Sequence, residues 1–271
     1  MPIAAKLASS ALQWAEKRGR REVAFDFAAE VREEGTNRVA GALRDTVTVR
    51  LATERFQQVQ QRALVYQGGL ILQPGHYRMK FLARENETGR IGTFEQELVL
   101  PAPSPRLELS SVLLSSQLEA VSKGGGEVQK KALAADAKLK STPLEMSGER
   151  IIPSVTRVFT TQQKLYVFFQ AYLPPSKDAS AEGANLRAGL IFFRNGERVN
   201  ATPLIEPAEM DAKSRTASFR ISLPLEKLAP GRYTVQAVVI EAGQDRATFG
   251  RSYFALRLPP APAAAPAKPG E

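Results

Sequence analysis

The side chains able to do chemistry are few. His76 is the single histidine among 271 residues and cysteine is absent, which removes thiolate metal sites, Fe–S clusters, cysteine nucleophiles and disulfide scaffolds together. A Ser-His-Asp relay would have to be built on His76. No Gly-x-Ser-x-Gly elbow presents a serine to it, and His76 lies inside Leu72-Gln73-Pro74-Gly75-His76-Tyr77, where chain reversal accounts for the residue types. Glu85 with Glu87, and Asp26 with Glu30, are carboxylate pairs that folding can bring together, yet spacing alone does not set the separation glycoside hydrolysis needs. The acids between 206 and 211 lack the ordered oxygen spacing of a calcium loop. Gly124-Gly125-Gly126 is followed by no Gly-Lys-Ser or Gly-Lys-Thr, so it holds no nucleotide phosphate. Asn86-Glu87-Thr88 and Asn200-Ala201-Thr202 fit the N-glycosylation pattern, which matters only where the glycosylation machinery is present. The sequence therefore predicts no catalytic residue, no metal ligand and no cofactor.

Binding chemistry is better represented. Tyr166, Phe168, Phe169 and Tyr172 stand close together, and Tyr166 with Tyr172 are the candidate interaction residues for a glycan or a protein partner, the alternative being that these rings fill a core. The excess of 37 Lys and Arg over 28 Asp and Glu gives a formal charge of +9, which favours acidic partners over a long range. That charge is dispersed. Its densest run is Lys17, Arg18, Arg20 and Arg21, with a looser set at Lys123, Lys130, Lys131, Lys138 and Lys140. No stripe of arginines interleaved with aromatics accompanies it, which leaves a weak electrostatic nucleic-acid binder as the third choice after protein and glycan recognition.

The elements that would position such residues are mostly strands. Residues 1–21 read as a leader or short helix, with Leu7, Ala11 and Trp14 at helical spacing, and Met1 to Ala15 lacks the continuous apolar stretch of a secretory signal. No segment is long and apolar enough to span a bilayer. From Glu22 the pattern changes: Val23, Phe25 and Phe27 alternate with smaller or polar residues, Thr46 to Leu51 is β-branched, and further strands are expected at 62–66, 77–83 and 93–100. Glu33 to Asn37 read as a turn, and Glu54 to Gln61 as a short helix or irregular edge. Prolines 101, 103 and 105 end a first module over 22–101. A second module over 102–258 opens with a strand at 106–114 and carries a polar insertion at 118–148, read as a mobile loop or a helix over 128–139. Strands follow at 165–172, 186–193, 197–199, 218–223, 233–240 and 248–258, with an Asn195-Gly196 hairpin turn. Residues 259–271, nearly all Pro, Ala, Lys and Gly, predict a disordered tail. The fold class expected is mainly β: two immunoglobulin-like or related antiparallel β-sandwich modules, with a long insertion in the second.

The two modules echo each other. Leu72-Gln73-Pro74-Gly75-His76-Tyr77 is matched 156 residues later by Leu228-Ala229-Pro230-Gly231-Arg232-Tyr233. Pro74 and Pro230 set φ for a turn, Gly75 and Gly231 are placed to take the positive φ that follows, and Tyr77 and Tyr233 open an outgoing strand with hydroxyls available to water or a backbone partner. The match continues through a polar turn, 85–90 against 241–246, and the pair Thr93-Phe94 reads like Thr248-Phe249.

Gly75 to Phe94 (GHYRMKFLARENETGRIGTF), Leu107 to Ser115 (LELSSVLLS), Ile152 to Phe159 (IPSVTRVF) and Leu165 to Tyr172 (LYVFFQAY) resemble the C-terminal β-rich region of the acidobacterial VWFA-related domain proteins. The resemblance runs from about Val23 to Leu258. It implies a scaffold or interaction surface without catalysis, and a periplasmic or extracellular setting, although the signal sequence and the A-type domain that precede this region in the family have no counterpart here. Asp178-Ala179-Ser180-Ala181-Glu182 departs from the family's Asp-x-Ser-x-Ser metal motif at its last position, so no metal residue carries over.

Overall fold

A computed structural model of the chain describes residues 1–60, 63–121, 128–132, 144–175 and 185–259. Residues 260–271 of the expected disordered tail, the 122–127 and 133–143 parts of the insertion, with Gly124 to Gly126 among them, and the Asp178 to Glu182 segment lie outside the described residues. Two compact units are present, one made of Met1–Pro103 with Leu118–Val155, the other of Ser104–Gln117 with Thr156–Glu271.

In the first unit, alternation does what the sequence requires of it. Strand Arg20–Glu33 buries Val23, Phe25, Phe27, Ala29 and Val31, all on one parity. Its neighbours Val39–Ala52 and Gly75–Glu85 bury Leu43, Val47, Val49 and Leu51, and Tyr77, Met79 and Phe81, on the same side. The sheet runs in the order Val128–Ala132, Val39–Ala52, Arg20–Glu33, Gly75–Glu85, Ile91–Leu100, with the short Ala15–Lys17 hairpinned onto Arg20–Glu33. The covering layer is smaller: Pro2–Ala8 paired antiparallel with Ala63–Gly69, and the helix Thr53–Gln60, which sets Phe56 edge-on against Trp14 at 5.3 Å.

The N-terminal segment is thus a strand followed by a single 3₁₀ turn at Ser9–Ala11, not a helix. Its alanines offered a weak helical stripe, whereas pairing with Ala63–Gly69 places Ile3, Ala5 and Leu7 against the core. The 118–148 insertion is also corrected. Residues 118–155 belong to the first unit: Val128–Ala132 pairs on the open edge of Val39–Ala52, and Gln67 donates Nε2 to the Ile151 carbonyl at 3.3 Å. An open sheet edge needs partners for its backbone groups, and a segment distant in sequence supplies them.

The second unit is a complete sandwich of two sheets. One runs Glu209–Asp211, Thr216–Pro224, Lys164–Tyr172, Glu108–Leu109, with Leu113–Ser115 also on Lys164–Tyr172. The other runs Val158–Thr160, Arg246–Arg257, Gly231–Glu241, Leu186–Arg194, Glu197–Ala201. Val158–Thr160 is parallel to the last strand and the remaining pairs are antiparallel. This is the strand arrangement of an immunoglobulin-like sandwich. Phe169, Phe219, Phe192, Leu165 and Leu190 meet between the sheets and are fully buried. The strand expected over 106–114 is two short pieces, because at Ser110 the chain leaves the ladder and its Oγ accepts the Gln170 amide at 2.9 Å.

Candidate interaction surface

The echoed motif builds the same corner twice. Tyr77 donates its hydroxyl to the Gln73 carbonyl at 2.8 Å, and Tyr233 donates to the Ala229 carbonyl at 2.6 Å, in each case four residues back. Such a tie at the mouth of a strand is the tyrosine corner of immunoglobulin-like sandwiches. Positive φ does not explain both glycines. Gly231 has φ 155°, but Gly75 does not lie at positive φ; its bare Cα admits the returning Tyr77 ring, whose hydroxyl would sit 3.0 Å from an added Cβ.

From each corner runs a hairpin in the same register. Tyr77 pairs with Leu98 and Arg78 with Glu97; 156 residues on, Tyr233 pairs with Phe254 and Thr234 with Tyr253. The neighbouring hairpins agree as well, each carrying a bulge, between Val31 and Arg32 in one and between Phe192 and Phe193 in the other. Four strands are therefore duplicated. This register corrects the sequence match between Thr93-Phe94 and Thr248-Phe249. Phe81 faces Phe94 and Ala237 faces Gly250, so Gly250 is the counterpart of Phe94, and Phe249 stands where the first unit has Thr93.

With the two sheets aligned, their outward faces differ along the middle of the last strand. In the first unit that face carries paired charges at its centre, with Ile91 and Val99 exposed at the two ends of the last strand: Arg78 lies 3.4 Å from Glu95 and 3.3 Å from Glu97, Lys80 lies 3.7 Å from Glu95, and Arg32 lies 2.6 Å from Glu30. The guanidinium of Arg32 holds the Glu30 carboxyl below its ordinary range. His76 is exposed on this same unit, paired across the hairpin with Val99. In the second unit the equivalent positions hold Phe249, Arg251 and Tyr253 on the last strand, Thr234, Gln236 and Val238 on the next, then Ile191 and Phe193. Phe249 is 59% and Tyr253 61% exposed. Arg251 donates Nε to the Gln236 side chain at 2.7 Å and lies 5.3 Å from the centre of the Phe249 ring. Beside Tyr253 is an open depression of about 610 Å³ lined by Phe193, Asn195, Arg232 and Thr156 among others.

The tyrosines singled out from sequence sit on the other sheet of this unit. Tyr172 is 40% exposed, its hydroxyl 3.4 Å from Gln170 Oε1, while Tyr166 is half-buried with the Lys164 ammonium 5.6 Å from its ring. Six strand positions, about 20 Å, separate them, and the Phe168 ring on the same parity is buried. The structure does not bring Tyr166 and Tyr172 together as one platform.

A polar group missed from sequence lies inside the first unit. Asp45 occupies an inward position between Leu43 and Val47, only 7% exposed, and accepts the Tyr66 hydroxyl at 2.5 Å; the Tyr66 ring stacks on Phe27 at 4.0 Å. Burial, then the hydrogen bond to Asp45 and its negative charge, push the Tyr66 phenol well above its ordinary range. The signal that could have found it is that Asp45 is the one acid on the parity shared by Leu43, Val47, Val49 and Leu51. Among the described residues no group of three or more His, Asp or Glu could hold a metal ion, and no helix is long and apolar enough to cross a membrane.

No family model matches the chain, and no curated protein matches it. Among solved structures, a chain of the crystal structure of Dpr2 Ig1-Ig2 in complex with DIP-Theta Ig1-Ig3 is similar at 11% identity, covering 94% of this chain and 99% of that chain, with a TM-score of 0.20. The strand order, corner and hairpin register themselves define a mainly β protein of immunoglobulin-like sandwich architecture.

Proposed function

We propose that this chain is a non-enzymatic interaction module of an envelope-associated bacterial protein, and that the outward face of the sheet carrying Phe249 and Tyr253 is its recognition surface. One observation carries the reading. The same four strands occur twice in one chain, and at the three aligned outward positions where the first copy has Thr93, Glu95 and Glu97, the two acids paired with Arg78 and Lys80, the second has Phe249, Arg251 and Tyr253 with both rings exposed. The first copy shows that the sheet needs no aromatic there, so Phe249 and Tyr253 are not required by the fold. Tyrosine and arginine around a dehydratable centre are the residues that supply most of the affinity at protein interfaces. The envelope setting rests on the resemblance of the β-rich region described above.

The test is a peptide array of graded charge and aromatic content, probed with the purified chain. Peptides retained by the wild type should be lost on Phe249→Ser/Tyr253→Ser and kept by Thr93→Ala/Val99→Ala, which alters the equivalent strand of the first unit. Retention that is indifferent to the second-unit substitutions, or no retention at all, would contradict the proposal.

A further inference from the structure

Resting on that reading, we infer that the partner of this face is an acidic, aromatic-bearing peptide segment of another protein. The charge of the face is one-sided. Arg198 pairs across from Phe193, which is followed along the same outward row by Thr234 and Tyr253; Arg232 pairs with Ala255 one row away. Neither Arg198 nor Arg232 has an ion-pair partner among the described residues. Arg251 lies between the two exposed rings, where it engages Gln236 and the Phe249 ring. Arg187, at the far end of the face, is the one neutralised by an acid, Glu206 at 3.6 Å. Guanidinium groups at the margins of a ring-bearing patch match carboxylates geometrically as well as electrostatically.

Other occupants fit less well. A second copy of the chain would set these arginines against themselves, a like-charge contact that opposes association. Single-stranded nucleic acid uses successive open rings at base spacing, whereas Phe249 and Tyr253 stand four strand positions, about 13 Å, apart with Arg251 between them. The patch also continues into half-buried Ile191 and Val238 and into Leu204, 46% exposed. Aliphatic surface of that kind is covered by protein side chains, not by sugar hydroxyls or phosphates.

The experiment titrates the full chain into a fluorescein-labelled random copolymer of glutamate and tyrosine and follows anisotropy. A lysine–tyrosine copolymer, oligo-dT and polygalacturonate serve as competing probes. Saturable binding of the glutamate–tyrosine copolymer is expected, at least tenfold weaker with Arg198→Gln/Arg232→Gln, at least tenfold weaker with Tyr253→Ala, and only partly restored by Arg198→Lys/Arg232→Lys, which returns the charge without the planar fork. Unchanged binding by the glutamine variant overturns the inference, as does tighter binding of oligo-dT or polygalacturonate through the same residues. If the lysine–tyrosine copolymer binds instead and is lost on Tyr253→Ala, the acidic assignment fails while the recognition face stands. If no probe depends on Tyr253, both fall.

Discussion

Replacing Tyr66 by Phe removes one oxygen and leaves the ring stacked on Phe27, so it isolates the hydroxyl that Asp45 accepts at 2.5 Å. A hydrogen bond to a charged group contributes about 1.5–3 kcal/mol, and leaving a buried acceptor unpaired adds to the loss. Tyr66→Phe should therefore lower the stability of the first unit by about 2–3 kcal/mol near pH 8. The deficit has a defined pH dependence. Because the folded Tyr66 phenol titrates above its ordinary value of 10.0, its stabilising contribution is complete below pH 10 and is lost as pH rises further, since the unfolded chain ionises first. Each pH unit above 10 should remove about 1.4 kcal/mol of the wild-type advantage, so at pH 11 the two proteins should differ by roughly half as much as at pH 8. Tyr172, whose phenol burial also raises, is present in both proteins and cancels in the difference. Urea unfolding followed by tryptophan fluorescence is the assay, because the single tryptophan, Trp14, lies in the first unit beside Phe56. Equal stability at pH 8, or a difference that stays constant from pH 8 to 11, would refute the reasoning.

Three further outcomes follow from the same geometry. Tyr233→Phe, which strips the corner hydroxyl from the Ala229 carbonyl, should cost about 1–2 kcal/mol in the second unit; a thermal midpoint identical to wild type by circular dichroism would count against the corner's role. Gly250→Val should destabilise by about 1–3 kcal/mol through overpacking, since an added Cβ would stand 2.7 Å from Leu109 Cδ2, whereas Gly92→Ala, with nothing within 4 Å, should be tolerated; calorimetry that ranks the two the other way would contradict the packing described. Glu85 is held in its hairpin by the Thr88 hydroxyl and by the amides of Glu87 and Thr88; although burial acts to raise its carboxyl, these bonds and Arg90 leave it below the ordinary 4.5. Its contribution is therefore present above pH 4.5 and lost as pH falls through the folded value, so Glu85→Gln should be less stable than wild type at pH 7 and approach it near pH 3, as read by urea midpoints.

Much of this architecture was legible in the residues. The apolar run from Leu165 to Tyr172 matched its strand nearly end to end, alternation from Val23 to Phe27 marked the middle of a longer strand, Arg20–Glu33, and Leu-x-Pro-Gly-x-Tyr marked both corners. Pairing between distant segments was not legible. Nothing in the alanines of Pro2–Ala8 points to a partner at Ala63–Gly69, and adjacency in sequence wrongly attached residues 118–155 to the unit that follows them. The outward position of Phe249 escaped for a sharper reason. Matching Thr93-Phe94 to Thr248-Phe249 slips the register by one residue, and one residue exchanges the inside of a sheet for its outside. With that slip Phe249 stands for Phe94, on the parity of the buried Phe81; in the true register it is the counterpart of Thr93 and shares the outward row of Arg251 and Tyr253.

The duplicated sheet supplies its own control. Phe249→Thr/Arg251→Glu/Tyr253→Glu gives the last strand of the second unit the outward residues of the first, and binding of the glutamate–tyrosine copolymer by this variant is the measurement that bears most directly on the account. Unaltered circular dichroism and a near-wild-type unfolding midpoint, with anisotropy reduced to background, is the predicted result. Loss of the fold would mean that these side chains hold the sandwich together, and undiminished binding would mean that recognition resides elsewhere; either contradicts the account.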